Sequence, residues 1–185
     1  MISFKNVYFS YGKKSVLSDF NLQINEGDRV AICGESGVGK TTVLRLIMGL
    51  EKEKSGIIEI EKDKKITAVF QEDRLLPFKT VLENISLFGD GKLGLEILKK
   101  MGLEDYANKY PSSLSGGMAR RVSIARALAH SGDIFIFDEL FNGIDEENVK
   151  LTAALINDYT ANKTVVMVSH NKRDIELLCC REIQM

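Results

Sequence analysis

The chain has 185 residues, of which 44% are apolar and 28% charged, and 25 Lys and Arg against 26 Asp and Glu give a formal net charge of -1. This length suits one domain with one core, and the balanced composition excludes a basic nucleic-acid binder, an acidic tail and a disordered chain as descriptions of the whole chain. No apolar run approaches the roughly 18 residues that span a bilayer, and the first residues lack the order of a signal peptide. Three cysteines without CxxC spacing and two histidines favour neither a disulfide framework nor a zinc site. We therefore expect a cytosolic protein with no nucleic-acid partner.

Alternating polar and apolar residues over the first 25 positions predict antiparallel strands, and residues 56–61 predict another strand of this kind. Three apolar runs without alternation lie at residues 30–33, 134–137 and 165–168, as is typical of parallel strands covered on both faces. Segments with helical spacing separate these runs. The order predicts an α/β fold with a mainly parallel sheet, an antiparallel β portion and right-handed crossovers.

Residues 72–117 interrupt the alternation of buried runs and helical segments. Residues 72–117 contain both prolines and short helical patterns, so we expect a small helical subdomain inserted into the sheet. The core then comes from residues 1–71 and 118–185, and the whole chain forms a single domain.

A phosphate-binding motif directly follows the first buried run. Residues 34–41 fit the P-loop spacing GxxxxGK[ST], in which glycines let backbone N–H groups and a helix start point at phosphate. Lys40 would reach the β and γ phosphates, and the Thr41 hydroxyl would bind Mg²⁺. The alternative, a glycine-rich helix cap without a ligand, fits the pattern by chance in about one chain in a hundred. The residues expected to bind the nucleotide here are Gly34, Glu35, Ser36, Gly37, Val38, Gly39, Lys40, Thr41 and Thr42.

Polar residues also follow the other two buried runs, at the sheet edge where ligands bind in parallel sheets. Asp138 ends the second run, and a buried carboxylate there is costly unless it meets a cation such as Mg²⁺. Glu139 could polarise a water molecule for attack on the γ-phosphate, although both acids could equally serve a helix start. His170 follows the third run and could donate a hydrogen bond to phosphate, whereas a lone histidine is more often structural.

The sequence Leu-Ser-Gly-Gly-Met at 114–118 resembles the signature LSGGQ of the nucleotide-binding subunits of ATP-binding cassette (ABC) transporters. Ser115, Gly116 and Gly117 would form a second anion-binding helix start, and in isolation would only cap a helix. The resemblance covers the whole chain and implies an ABC ATPase fold, ATP hydrolysis, and ATP and Mg²⁺ as cofactors. The following helix carries three arginines that we expect to line a solvated or interface face: Arg120, Arg121 and Arg126.

Three further positions receive a role from the resemblance. Tyr11 is similar to the aromatic residue that stacks on adenine, although it could simply end a strand. Gln71 is similar to the Q-loop glutamine, which touches Mg²⁺ and the attacking water near the docking site of the membrane partner. Asp145 is similar to the D-loop aspartate, although it could equally cap the next helix. The expected catalytic residues are Lys40, Gln71, Glu139 and His170, and the expected metal ligands are Thr41, Gln71 and Asp138.

The resemblance also implies partners. One P-loop and one signature per chain imply an ATP-dependent homodimer, in which the signature of one copy meets the P-loop of the other. The chain would work from the cytoplasmic face of the membrane on a separate integral membrane permease. Residues 71–85 and 138–145 are most similar to importers of the nitrate, sulfonate and taurine group.

Some positions depart from the family pattern, and other functions stay open. Met118 replaces the signature Gln, and Leu140 replaces a proline. The chain is also short for the family, so we expect a trimmed β portion and no C-terminal regulatory domain. A soluble ABC-type switch on a non-membrane partner is the main alternative, although it commonly has two cassettes. Residues 171–174 spell the NKxD motif of GTPases, in which the signature would have no role. A module without hydrolysis would not need the intact catalytic set.

Overall fold

Eight strands and six α-helices make up the computed structural model, which describes all 185 residues. The strands are β1 (Ile2–Tyr11), β2 (Lys14–Ile24), β3 (Arg29–Cys33), β4 (Ser55–Ile60), β5 (Ile66–Val69), β6 (Ile134–Asp138), β7 (Thr164–Val168) and β8 (Arg181–Gln184). The helices are α1 (Lys40–Ile47), α2 (Val81–Ser86), α3 (Gly91–Lys100), α4 (Gly116–Ala129), α5 (Glu146–Tyr159) and α6 (Lys172–Leu177). Short 3-10 helices lie at Glu104–Tyr106 and Pro111–Ser113.

The first sheet is antiparallel, with strand order β2-β1-β4. Ile2 of β1 pairs with Ile24 of β2 on one side and with Ile60 of β4 on the other. Gly56 of β4 has a φ of +94°, and a Cβ at this position would lie 2.3 Å from the Asn6 carbonyl oxygen. Only glycine fits there, because other residues rarely adopt this φ and the neighbouring backbone leaves no space. Both antiparallel portions predicted from the alternation are present.

The second sheet is parallel throughout, with strand order β5-β6-β7-β3-β8. Every residue of β6 and β7 is buried, because both faces of these strands are covered. Phe135 and Phe137 belong to the core cluster shared with α4 and α5, whereas Ile134 and Ile136 belong to the cluster shared with α1 and the antiparallel sheet. The predicted α/β fold is therefore confirmed. The two edge strands β5 and β8 were not predicted, since they are short and only partly buried.

The segment between β5 and α4 contains α2, α3 and the two short 3-10 helices, and no strand. Helix α2 begins with a capping box, in which Glu83 donates its N–H to the Thr80 hydroxyl and accepts from the Thr80 N–H. Helix α3 begins at Asp90, whose carboxylate accepts two backbone hydrogen bonds. Buried Ile85 and Ile97 join these helices to the core cluster that α4 also contacts. The packing places the segment that follows Gln71 against α4.

Strands β6, β7 and β3 are adjacent in the parallel sheet, so their carboxyl ends lie side by side. The P-loop, the Asp138 and Glu139 pair, and His170 follow these three ends, as the sequence predicts. This edge is where the fold gathers polar side chains. None of the helices is long and apolar enough to cross a lipid bilayer.

Candidate functional site

A cavity of about 420 Å³ opens at the carboxyl ends of β3, β6 and β7. Eleven of the residues predicted from the sequence line it: Tyr11, Ser36, Gly37, Gly39, Lys40, Thr41, Thr42, Gln71, Asp138, Glu139 and His170. The other lining residues were not predicted: Lys14, Val16, Asn142 and Val168. Lys14 could have been found from the hairpin register, since it pairs with Tyr11 across β1 and β2.

The P-loop wraps around the end of β3 because its glycines adopt left-handed backbone conformations. Gly39 has a φ of +119°, and a Cβ there would lie 2.9 Å from the Val16 side chain. Gly39 also begins α1 without any side-chain cap, which leaves the first N–H groups of the helix free to bind an anion. Gly34, Glu35 and Val38 belong to the same loop but do not line the cavity.

Lys40 lies across the inside of the P-loop. Its Nζ donates hydrogen bonds to the carbonyl oxygens of Gly34 at 2.8 Å and Glu35 at 2.9 Å. The loop therefore holds the ammonium group in place. Together with the free N–H groups of α1, this charge makes the P-loop side of the cavity electropositive.

Asp138 is a buried carboxylate at the end of β6, only 7% exposed. Burial raises the pKa of Asp138, while a hydrogen bond from the Thr41 hydroxyl and the charge of Arg120 lower it in part. A carboxylate and a hydroxyl side by side are hard oxygen donors, the class that Mg²⁺ prefers. The donor set at this position therefore fits the predicted metal.

Glu139 follows Asp138 with a backbone turn. Its φ is +50°, which is unusual for a residue with a side chain and often marks a functional site. Its N–H donates to the Val168 carbonyl at 3.0 Å, and its carboxylate oxygen lies 3.0 Å from Nδ1 of His170. The structure thus brings two predicted catalytic residues into direct contact at the cavity.

Asp174 lies buried in the first turn of α6, and its carboxylate accepts a hydrogen bond from the Ser169 hydroxyl at 3.2 Å. Burial raises the pKa of Asp174, and the negative charge of Glu139 adds to this effect. Because the folded state binds this proton more tightly than the unfolded chain, the wild type loses stability as the pH rises through the raised pKa. We expect Asp174→Asn, which is uncharged at every pH, to melt a few degrees above the wild type at pH 7.

Asp133 is the matched control, because its pKa is shifted in the opposite direction. The pKa of Asp133 is lowered by a backbone hydrogen bond from Lys65 and by the ammonium group of Lys163. Its ionised form stabilises the fold above the unfolded pKa, so Asp133→Asn should melt below the wild type at pH 7. Thermal denaturation at pH 7 and at about pH 4 measures both differences, which should shrink at the lower pH. A melting temperature of Asp174→Asn below that of the wild type at pH 7 would contradict the raised pKa of Asp174.

Tyr11 ends β1 and lines the cavity. Phe9 packs edge-on against the ring, with centroids 4.9 Å apart and an interplanar angle of 84°. The Tyr11 hydroxyl lies 3.3 Å from a carboxylate oxygen of Glu51, so its tip is held on the side of α1. Both predicted interpretations, an aromatic platform and a strand-end tyrosine, agree with this position.

Arg120 and Arg121 do not line a solvated face and Arg126 is half-buried, so the solvated alternative of that expectation was wrong. Arg120 is 2% exposed and Arg121 is 8% exposed. Arg121 donates to the Met101 carbonyl at 2.6 Å, and Arg126 donates to the carbonyls of Asp73 and Arg74. Backbone carbonyl oxygens from distant segments accept hydrogen bonds from all three side chains, although Nε of Arg121 is buried without a partner.

The signature residues form the start of α4 and do not line the cavity. Ser115 caps the helix, and its hydroxyl accepts the Met118 N–H at 3.3 Å. A Cβ at Gly117 would lie 2.7 Å from the Gly143 carbonyl oxygen, whereas a Cβ at Gly116 would meet nothing within 4 Å. Within one chain the two predicted anion-binding helix starts are therefore separate.

Two other predicted positions serve as helix caps. Asp145 begins α5, where its carboxylate accepts the Asn148 N–H at 3.1 Å, and hydrogen bonds from Asn148 lower its pKa. Asn171, the first residue of the NKxD sequence, begins α6 by accepting the Arg173 N–H at 3.0 Å. Neither side chain lines the cavity.

Comparison with known proteins gives one consistent picture. Residues 17–142 match the family model described as ABC transporter. An aliphatic sulfonates import ATP-binding protein of Paraburkholderia xenovorans is 37% identical over 180 residues, which cover 92% of this chain and 53% of the relative. Its counterpart in Corynebacterium glutamicum is 40% identical over 175 residues, which cover 88% of this chain and 70% of the relative. The chain thus spans about half the length of the first relative.

Two solved structures of a single cassette also match the whole chain. One is a dimeric structure of a bacterial ABC transporter cassette, with a TM-score of 0.84, and the other is its dimeric post-hydrolysis state bound to ADP and Pi, with a TM-score of 0.85. Each is 33% identical and covers 100% of this chain and 94% of that chain.

Proposed function

Because the chain belongs to the ABC transporter family of ATP-binding proteins, we propose that it hydrolyses ATP to power solute transport through a separate membrane subunit. The family predicted from the signature is confirmed. The observation that carries the proposal is the single cavity in which the P-loop meets Asp138, Glu139 and His170. The similar importers named for aliphatic sulfonates support import of a small organic anion of that class.

ATP would bind with its phosphates on the P-loop. Lys40 would exchange its hydrogen bonds to the Gly34 and Glu35 carbonyls for phosphate oxygens, and the free N–H groups of α1 would contribute further donors. The Tyr11 ring would stack on the adenine, since Tyr11 lines the cavity. The chain thus supplies separate contacts for the base and for the phosphates.

Thr41, Asp138 and Gln71 would hold Mg²⁺ through oxygen atoms. When bound, the ion neutralises charge on the β and γ phosphates. Glu139 would accept a proton from the attacking water as a general base. His170 would orient the Glu139 carboxylate through Nδ1 and donate to phosphate through Nε2, two roles that together require both ring nitrogens to carry a proton.

We also propose a head-to-tail homodimer. The cavity contains no contribution from Ser115, Gly116 or Gly117 of the same chain, and the space around Gly116 is open. A second copy would complete each nucleotide site with its own signature, and Asp145 would lie at this interface. The dimeric form of the similar cassette supports this arrangement.

The membrane subunit would dock on the helical subdomain that we propose for residues 72–117. Phe78, which precedes α2, is 71% exposed, and Leu87 and Phe88 at the end of α2 are also exposed. Asn84 ties the Phe78 loop to α2 through the carbonyls of Leu76 and Lys79. Exposed apolar side chains on an ordered segment near Gln71 suit a protein interface. The ATP-binding chain would then lie on the cytoplasmic face of the membrane.

Recovery of the complex tests the transport function. Tagged Glu139→Gln protein, expressed in the organism that encodes it and solubilised with Mg-ATP, should co-purify with a multi-span membrane protein in matched amount. The same protein carrying Phe78→Asp should lose that partner and keep ATP binding, because Phe78 lies outside the cavity. Recovery of only soluble proteins or ribosomes would leave the ATPase without a transport function.

A further inference from the structure

Arg120 of α4 contacts the chain on both sides of the proposed catalytic centre. On one side, its guanidinium meets the turn at the end of β6. Nη2 donates to the carbonyl oxygens of Asp138 at 2.9 Å and Glu139 at 2.7 Å, and Nε donates to the Leu140 carbonyl at 2.8 Å. Three successive carbonyl groups therefore converge on one buried cation.

On the other side, the same guanidinium meets the segment that carries Gln71. Nη1 donates to the carbonyl oxygens of Phe70 and Gln71, the latter at 3.3 Å, and lies 3.3 Å from a carboxylate oxygen of Asp73. These partners lie about fifty positions before Arg120 in the chain. All three nitrogens of the side chain are thus committed to backbone or carboxylate oxygens.

The convergence of carbonyls has a physical cause. The left-handed φ of +50° at Glu139 bends the chain directly after β6, where the carbonyl oxygens of residues 138–140 all accept from Arg120. Carbonyl oxygens that converge on one point repel one another unless a positive group lies between them, and a planar guanidinium can bind several oxygens at once. The turn that directs the Glu139 carboxylate to His170 is therefore held by Arg120.

We propose that Arg120 is a positioning residue for ATP hydrolysis. It fixes the Glu139 turn and the Gln71 segment to one another, so that the base and the glutamine reach the reacting water in a set relation. This inference rests on the proposed function, since it assigns a role within that ATPase. Arg120 touches neither nucleotide nor water in this role, and it acts through the backbone of both segments.

Arg121 offers a matched control on the same helix. It is also buried, but it donates only to the Met101 carbonyl at the end of α3, and it makes no hydrogen bond to either catalytic segment. Arg120→Lys and Arg121→Lys both keep the charge and lose the planar fork. A purely structural role of a buried arginine would affect the two variants alike.

The first measurement separates binding from chemistry. Arg120→Lys should lower kcat about 10- to 100-fold and change KM less than about twofold, because a misplaced base slows the chemical step without removing phosphate contacts. Arg121→Lys should retain the wild-type kcat. An equal loss of kcat in both variants, or a rise of KM at unchanged kcat in Arg120→Lys, overturns the proposal.

The second measurement does not depend on activity. Backbone amide hydrogen exchange in Arg120→Lys should be faster than in the wild type at both residues 68–76 and residues 138–144. If the lysine variant exchanges like the wild type, Arg120→Gln should show this joint acceleration. The antiparallel sheet should exchange as in the wild type, and Arg121→Lys should change only the region around Met101. Faster exchange in one catalytic segment alone, or throughout the chain, overturns the proposal. A wild-type protein that neither binds nor hydrolyses ATP refutes the proposed function instead. The exchange data distinguish this failure from a failure of the Arg120 proposal, because they do not depend on activity.

Discussion

Glu139→Gln is expected to hydrolyse ATP at least about 100-fold more slowly than the wild type, with ATP affinity retained. The amide has nearly the shape of the carboxylate and can still hydrogen-bond to His170, but it cannot accept a proton. Since Asp138, Thr41 and the P-loop are unchanged, Mg-ATP should still bind and hold two copies together. Single-turnover hydrolysis measures the rate, and light scattering with and without Mg-ATP measures the mass.

Glu146→Gln is the matched control for this variant. Glu146 lies in the first turn of α5, is exposed, and pairs with Arg173 at 2.9 Å outside the cavity. This control should keep the wild-type rate and should not form a lasting dimer. A folded Glu139→Gln protein that stays monomeric at saturating Mg-ATP would refute the nucleotide-bridged dimer, and a wild-type rate would remove Glu139 from its role as base.

Lys40→Ala should have the second large effect, a loss of kcat/KM of about 100-fold or more, with ATP binding lost as well. Lys40 places its ammonium group inside the P-loop, within reach of the Gly34 and Glu35 carbonyls. The alanine variant leaves the loop with backbone N–H donors but no cation to balance the phosphate charge. Titration with a fluorescent ATP analogue measures the affinity, and thermal denaturation verifies that the variant is folded.

Lys14→Ala provides the comparison for Lys40→Ala, because Lys14 also lines the cavity but lies on β2, outside the P-loop. A smaller loss of affinity is expected for Lys14→Ala, since a solvated ammonium group contributes little to binding. Equal losses in both lysine variants would mean that general positive charge, and not the P-loop geometry, binds the nucleotide. The two large effects also differ in kind, since one variant keeps ATP and the other does not bind it.

Local patterns predicted the site because its elements are short and contiguous in sequence. The apolar run before Gly34 and the helical spacing after Lys40 lie within twenty residues of one another, and strand burial follows directly from them. The same holds for Asp138 and His170, each of which directly follows a buried strand. The order of the three strands, β6-β7-β3, was not predicted, whereas the meeting of their carboxyl ends at one edge follows from a parallel sheet.

The arginines of α4 were misjudged because their environment is not local. Charged residues on a helix are usually solvated, and nothing within α4 signals that carbonyl groups of residues 70–74 and 138–140 will meet Arg120 and Arg126. The lining residues Lys14 and Asn142 escaped prediction for a similar reason, since their positions depend on strand register and on the turn at Glu139. The roles of the site residues toward ATP remain predictions that the variants above test.

The two glycines of the signature are restricted by different neighbours. A Cβ at Gly117 would lie 2.7 Å from the Gly143 carbonyl oxygen, so the sequence changes tolerated at the two positions carry different information. Any side chain at position 117 would collide with the chain's own backbone, so purifying selection would keep glycine there even in a descendant that had lost nucleotide binding. Position 116 faces open space, and only an external ligand or a second copy restricts its size. Among homologues, drift at position 116 with glycine retained at position 117 would therefore be the mark of a cassette that still folds and no longer closes on ATP.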